Sequence, residues 1–141
     1  MYTDIHCHLN FKDYGSVEEL VSGCLAEGVD RIVTVGYDLP SSEECKKLAE
    51  WYDCVYFSAG LHPTELSHCS YDDLCGIERL LSHPKCIALG EIGLDYHYPD
   101  TDKPRQQHFF KAQLELAHRH GMPVQIHSRD CAEDTLNFLT Q

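Results

Sequence analysis

The stretch Lys85-Cys86-Ile87-Ala88-Leu89-Gly90-Glu91 decides the fold. Its short, unbroken apolar run reads as a strand rather than as a helix face. Longer amphipathic runs flank it: Tyr71 to Ser82 before it, and Arg105 to His120 after it, the latter ended by Gly121 and Pro123. The same alternation runs along the whole chain. Strands are expected at Asp4–His8, Arg31–Gly36, Val55–Gly60 and Val124–His127, and helices at Ser16–Glu27, Ser41–Tyr52 and Ala132–Leu139. Ser16 with Glu19, and Ser41 with Glu44, read as capping boxes; Gly28 reads as a helix stop and Asp130 as the N-cap of the last helix. Helices between consecutive strands imply a parallel sheet, because parallel strands need a long crossover. In parallel β/α folds the chemistry sits at the carboxyl ends of the strands.

Composition narrows the function classes. The chain has 141 residues, of which 43 % are hydrophobic and 24 % charged, values ordinary for a globular domain. Eleven basic against 23 acidic residues give a net charge of −12, and no Lys/Arg run occurs. That excludes a wide basic nucleic-acid surface, though bound metal could still supply positive charge to hold a phosphate. The start, Met1 to Asn10, has no apolar core or basic flank, so no signal peptide is expected there, and no window has the roughly 18 apolar residues of a membrane span. Eight cysteines, none in a C-x-x-C pair and several in apolar runs, read as reduced, mostly buried thiols of a cytoplasmic protein. Neither a G-x-G-x-x-G nor a P-loop is present, nor a G-x-S-x-G elbow, which argues against a nucleotide cofactor fingerprint and a serine hydrolase.

The strand ends hold the candidate chemistry. Asp4, His6 and His8 alternate along a strand and share a face, so the two imidazoles can grip one metal ion. His118 and His120 have the same spacing but fall on a helix, where a two-residue step turns about 200°; they read as helix surface. Glu91 closes an apolar strand, where an ionised carboxylate is costly unless paired or on a metal. His127 also follows an apolar run, and Arg129 beside it suits a phosphate or an ion pair with a neighbouring carboxylate. His62 could bind metal or substrate, or shape the turn before Pro63, and Asp95 could orient a ligand or cap a helix. Each of these residues alone has an ordinary structural reading. Four strands, the first, third, fourth and fifth, all ending in His or Glu make a much stronger pattern. The second ends in Gly36-Tyr37-Asp38 and adds no histidine.

Asp4-Ile5-His6-Cys7-His8, Gly60-Leu61-His62-Pro63, Gly90-Glu91-Ile92-Gly93-Leu94-Asp95-Tyr96, the helix carrying Gln107, Phe110, Gln113 and Leu114, and Pro123 through Asp130 occur in one order and spacing. From about residue 2 to its end the chain thereby resembles the TatD family of metal-dependent deoxyribonucleases, within the amidohydrolase-like barrels. Departures are small: Cys131 stands where the family often has Ala, and His97 where a second Tyr is common.

The resemblance implies a (β/α)₈ TIM-barrel type with only the first five β/α units present, so residues 1–141 are expected to be the N-terminal part of one such domain, an open barrel. It implies a two-metal hydrolase of DNA phosphodiesters that uses two divalent cations, Mg²⁺, Mn²⁺ or Zn²⁺. His6 and His8 would hold one metal, and Glu91, the catalytic carboxylate, would bridge both. His127 would hold the second metal, and His62 and Arg129 would lie near the substrate phosphate. A further His ligand and an Asp that the family carries on later strands are not among these residues, so the second metal is expected to keep two protein ligands and the chain to be weakly active or inactive. Open first and fifth strands would invite self-association. Two other readings stand beside this one: a metal-dependent phosphoesterase or amidohydrolase acting on a small molecule, and a non-catalytic fragment.

Overall fold

Five parallel strands pair in chain order: β1 (Tyr2–Cys7), β2 (Val29–Val35), β3 (Val55–Ala59), β4 (Cys86–Asp95) and β5 (Val124–Arg129). The structure is a computed structural model and describes residues 1–11 and 15–140. Between and after the strands lie α1 (Val17–Ala26), α2 (Leu39–Trp51), α3 (Tyr71–Leu81), α4 (Lys103–His120) and α5 (Ala132–Leu139), with a 3₁₀ turn at Leu66–His68. A doubly wound sheet would reverse its strand order partway. Here every neighbour is the next strand, and the sheet curls as an incomplete TIM-type barrel. The core lies between sheet and helices, where Ile77, Phe110 and Leu116 bury themselves against Phe57, Leu89, Ile92 and Leu94.

Several element ends differ from the sequence reading. Helix α2 starts at Leu39, and its cap is Asp38, not Ser41. The Asp38 carboxylate accepts from the Ser41 amide at 2.8 Å, while Ser41 Oγ accepts from the amides of Asp38 and Tyr37, both at 2.9 Å. Pro40 fits the first helical turn, where its missing N–H costs nothing, so the helix begins before the proline and Ser41 becomes the reciprocal member of the box. Ser16 does cap α1, accepting from the Glu19 amide at 3.4 Å. Likewise α4 begins at Lys103, with the Asp102 carboxylate accepting from the Arg105 amide at 3.0 Å.

Strand β4 runs four residues beyond Glu91. Gly93 sits at φ 146°, and a Cβ there would lie 1.9 Å from the carbonyl oxygen of its partner His127. Only glycine lets β4 and β5 pair this closely, so what looks like a turn residue is part of the ladder. Asp130 is not the N-cap of α5: it takes a left-handed φ of 56°, and Cys131 stands at the cap position with no side-chain cap bond. Strand β5 extends to Arg129, which leaves Asp130 as a turn residue, a conformation aspartate tolerates. Its carboxylate accepts from His97 Nδ1 at 2.9 Å.

One side chain spans the inside of the curl. Gln125 on β5 accepts from Ser58 Oγ on β3 and donates to the Ile5 carbonyl on β1, each at 2.7 Å. Gly90 makes room for it, since a Cβ there would lie 2.6 Å from Gln125 Cβ. Among the described residues the outer edges of β1 and β5 carry no further strand, and Tyr2 and Ile5 on β1 are exposed. No helix among the described residues is long and apolar enough to cross a membrane. The eight cysteines are free thiols. Cys45, Cys69, Cys86 and Cys131 are buried, Cys7, Cys24 and Cys54 partly so, and Cys75 is exposed. Burial pushes the Cys45, Cys69 and Cys86 thiols up to about 11 and Cys7 to about 12, so they pack as small apolar groups.

Candidate metal centre

The carboxyl ends of β1, β3, β4 and β5 bring four imidazoles around Glu91. Glu91 is anchored by its backbone: its amide donates to the Gly36 carbonyl at the end of β2, at 3.1 Å. Its side chain then faces both flanks of the sheet. Oε2 lies 3.5 Å from His6 Nε2 and 4.0 Å from His62 Nε2, and Oε1 lies 3.3 Å from His127 Nδ1. Two sets of three potential ligands result, His6–His8–Glu91 and His62–Glu91–His127, with donor atoms in each set lying within 4.8 Å of one another.

Each outer imidazole is held from behind. His8 Nδ1 donates to the Val35 carbonyl at 2.9 Å, which fixes the ring and leaves Nε2 as its free lone pair. His127 Nε2 is held by Asp95 Oδ2 at 2.8 Å, which turns Nδ1 toward Glu91. Asp95 is itself 2 % exposed and accepts from the His97 amide at 3.0 Å. Of its two sequence readings, it is therefore the orienting one that the geometry supports; Asp102 caps the following helix. His62 Nδ1 is occupied by Thr64, through the hydroxyl at 2.8 Å and the amide at 3.3 Å, so Nε2 is the nitrogen facing Glu91.

The electrostatics follow from this packing. Burial pushes Glu91 up, but the hydrogen bond from His127 and the nearby His62 and His6 outweigh it and hold the carboxyl below its ordinary value. His127 is raised, chiefly by its hydrogen bond to Glu91 and then, against burial, by that to Asp95. Burial, with His127 beside it, drives His62 down to about 4, so this ring is neutral near pH 7. Imidazoles gathered around one carboxylate are the donor set that Zn²⁺ and Mn²⁺ accept. Three protein donors per set leave coordination positions for water or substrate.

The residues read from the sequence fall in distinct places. His6, His8, Glu91 and His127 converge. His62 joins them, giving the second set a third donor beyond the two expected. Arg129 stands at the rim, exposed, its guanidinium 5.8 Å from the Tyr98 ring centre, and no carboxylate pairs with it directly among the described residues. Asp4 is exposed and belongs to neither set, and its carboxylate accepts from the His6 amide at 3.0 Å. His120 pairs with Glu78 on the helix surface at 2.9 Å and takes no part.

Two residues escaped the sequence reading. A cleft of about 320 Å³ opens on the cluster, lined by His8, His62, Thr64, Glu65 and Glu91 and walled by Phe11 and Tyr37. Tyr37 lies two residues past the end of β2, in the Gly36-Tyr37-Asp38 segment that the strand-end rule reaches; the signal missed was an aromatic ring rather than a ligand. A larger groove of about 840 Å³ lies between the loops after β3 and β4, but the guanidinium of its Arg105 is consumed by the carbonyls of Leu66 and Cys69, and no ligand set converges there.

A family model described as TatD related DNase matches residues 3–141. Among curated proteins, the chain is 38 % identical over 142 residues to an uncharacterized metal-dependent hydrolase, YabD, of Bacillus subtilis, across 100 % of this chain and 56 % of that protein. It is 34 % identical over 113 residues to a 3′-5′ ssDNA/RNA exonuclease TatD of Citrobacter koseri, covering 80 % of this chain and 44 % of that one. The crystal structure of YJJV, a TatD homolog from Escherichia coli, superposes with a TM-score of 0.93 at 32 % identity, over 99 % of this chain and 55 % of that chain. The chain spans about half the length of the curated relatives it matches.

Proposed function

Because the chain belongs to the TatD family, we propose that it carries the metal-binding half of a site that hydrolyses phosphodiester bonds in DNA. The observation that carries this reading is Glu91, one carboxylate shared by both sets of histidines, with Oε2 toward His6 and His62 and Oε1 toward His127. In this reading His6, His8 and Glu91 hold one divalent cation, and Glu91 with His127 a second. Bound there, such cations would supply a water of lowered pKa and positive charge for the attacking and leaving oxygens.

The protein's own groups do the rest. Val35 and Asp95 keep the two outer imidazoles aimed, so the site needs little rearrangement when loaded. His62, neutral near pH 7, sits beside Glu91 where it can contact a phosphate oxygen or complete the second ligand set. Arg129, free of a direct carboxylate partner among the described residues, can hold a phosphate bidentately. With a net charge of −12 the body of the protein repels a polyanion, so affinity for DNA has to arise at this cluster. A free strand end fits such local recognition better than a wide duplex surface, and the Citrobacter relative carries the name of a single-strand exonuclease.

The test is a side-by-side assay of the intact protein with Mg²⁺, Mn²⁺ and Zn²⁺ on single-stranded DNA, duplex DNA, p-nitrophenyl phosphate diesters and amides. Metal-dependent cleavage of DNA, abolished by chelator, is the expected result. Intact DNA under all three metals would overturn the reading; cleavage of the aryl diesters or amides alone would put a small-molecule hydrolase in its place.

A further inference from the structure

Arg129 is the cation that the phosphodiesterase reading assigns to phosphate, and the next residue in the chain is an aspartate. Both are exposed, yet the carboxylate of Asp130 pairs with His97 and not with the guanidinium beside it. The reason lies in the loop that follows β4, which meets this corner through three consecutive residues. The Tyr96 amide donates to the Arg129 carbonyl at 2.9 Å, next to the last pair of the β4–β5 ladder. His97 Nδ1 donates to the Asp130 carboxylate at 2.9 Å. The Arg129 guanidinium lies over the Tyr98 ring, 5.8 Å from its centre. His97 and Tyr98 meet edge to face, with ring centres 5.2 Å apart and planes at 82°.

Each contact does something different. The bond from Tyr96 fixes the backbone of Arg129. The Tyr98 ring attracts the guanidinium without accepting from its N–H groups, so those donors stay available. The bond from His97 removes the competing anion: Asp130 takes a left-handed φ of 56°, and its carboxylate is held at the β4 loop. The same loop serves the metal cluster. The His97 amide donates to Asp95, and Asp95 holds His127. One three-residue segment therefore supports the second ligand set from behind and shapes the surroundings of the arginine next to it.

We infer that His97 is a positioning residue: by holding the Asp130 carboxylate at the β4 loop, it keeps the Arg129 guanidinium open for the substrate phosphate. The inference rests on the phosphodiesterase reading above and deepens it, because it names what keeps the phosphate-binding cation unneutralised in an acidic protein. It requires neither contact between His97 and substrate nor a change in protonation, since a neutral imidazole can donate from Nδ1 as a charged one does. The effect falls on substrate binding. An arginine captured by Asp130 has to be released before it can hold a phosphate, while the metal ligands stay where they are.

The experiment measures KM and kcat of the intact, Mn²⁺-loaded protein on a short single-stranded DNA. KM is the readout, because it does not depend on how much of a variant is folded. His97→Ala is expected to raise KM by about 2- to 5-fold, the worth of one exposed ion pair, with kcat within about twofold of wild type. His97→Asn, whose side-chain amide can donate in place of Nδ1, keeps the wild-type KM. Adding Asp130→Asn to His97→Ala brings KM back, because asparagine tolerates the left-handed turn but carries no charge to capture the guanidinium. In an Arg129→Ala background, His97→Ala changes KM no further. An unchanged KM in His97→Ala overturns the inference. So does a raised KM that Asp130→Asn does not restore, or one that persists without Arg129, since His97 would then act only by bracing its loop. Failure of the wild type to cut DNA with any metal would instead overturn the phosphodiesterase reading, and the role of His97 with it.

Discussion

Replacing Asp95 with asparagine isolates the support behind the second ligand set. The substitution is nearly isosteric at a position that is 2 % exposed. Asparagine can keep an acceptor for the His97 amide, now 3.0 Å from Oδ1. What it then loses is both the charge and the acceptor facing His127 Nε2 at 2.8 Å, since the amide NH2 would take that place. A hydrogen bond to a charged group contributes about 1.5–3 kcal/mol, roughly twice a neutral one. Loss of a carboxylate behind a metal-bound imidazole commonly weakens metal affinity by about 10–100-fold, or about 1.4–2.7 kcal/mol, and the two magnitudes agree. Calorimetric titration of the intact protein with Mn²⁺ or Zn²⁺ reads the effect, with melting of the metal-free protein run alongside. Weakening of the site that contains His127 by that factor is the expected result, and no added weakening in a His127→Ala background, since the two residues act as one unit. Metal affinity within twofold of wild type, or additive effects of the two substitutions, would refute the reasoning.

Three further outcomes follow from the packing. In the metal-free chain, His62 is neutral and held down to about 4, so its contribution to stability is fully present above about pH 6.5 and is lost as the pH falls from there to about 4; a loss of up to about 3 kcal/mol in urea unfolding, removed by His62→Gln, is expected, and a flat wild-type profile would count against it. His127, raised by its carboxylate partners, contributes with the opposite sign: its stabilisation is present below about pH 6.5 and fades as the pH rises through its raised value, so it does not mask the acid limb. Gln125→Leu removes both bonds that tie β5 to β3 and β1 and should lower stability by about 1–3 kcal/mol without touching a ligand; an unchanged melting temperature would show that the curl does not depend on that tie. The 141-residue chain by itself should self-associate through the edges of β1 and β5, where Tyr2 and Ile5 are exposed; a single monomeric peak in size-exclusion chromatography at every concentration would contradict this.

The fold was legible where local chemistry decides it and obscure where tertiary approach decides it. Apolar runs and their spacing placed all five strands and all five helices, and Ala132–Leu139 was read to the residue. The errors share one cause. At α2, a proline that helices accept in their first turn moved the cap back to Asp38. At β4, Gly93 looked like punctuation because nothing in a linear pattern announces that the His127 carbonyl would lie 1.9 Å from a Cβ there. The in-order winding of the sheet came from family resemblance, since alternating β/α units are equally compatible with a doubly wound fold. The ligand residues were legible because histidines and a carboxylate at strand ends have few cheap structural roles. Their supports were less so. His8 leans on a backbone carbonyl, which has no sequence signature, and Asp95 could be read two ways until its distance to His127 was known. Gln125, a polar residue inside an apolar strand, belongs to the motif that carries the resemblance, but nothing in the linear pattern tells that it bonds to Ser58 and to the Ile5 carbonyl across the interior.

The account turns on Glu91 serving both ligand sets. Mn²⁺ titration of the intact protein, with and without Glu91→Gln, and cleavage of single-stranded DNA measured on the same samples, tests this most directly. Glutamine keeps the shape and the amide contact to Gly36 but removes the charge between the two sets. The predicted result is weakened binding at both sets and loss of metal-dependent cleavage. A Glu91→Gln protein that binds Mn²⁺ and cuts DNA as the wild type does would contradict the account.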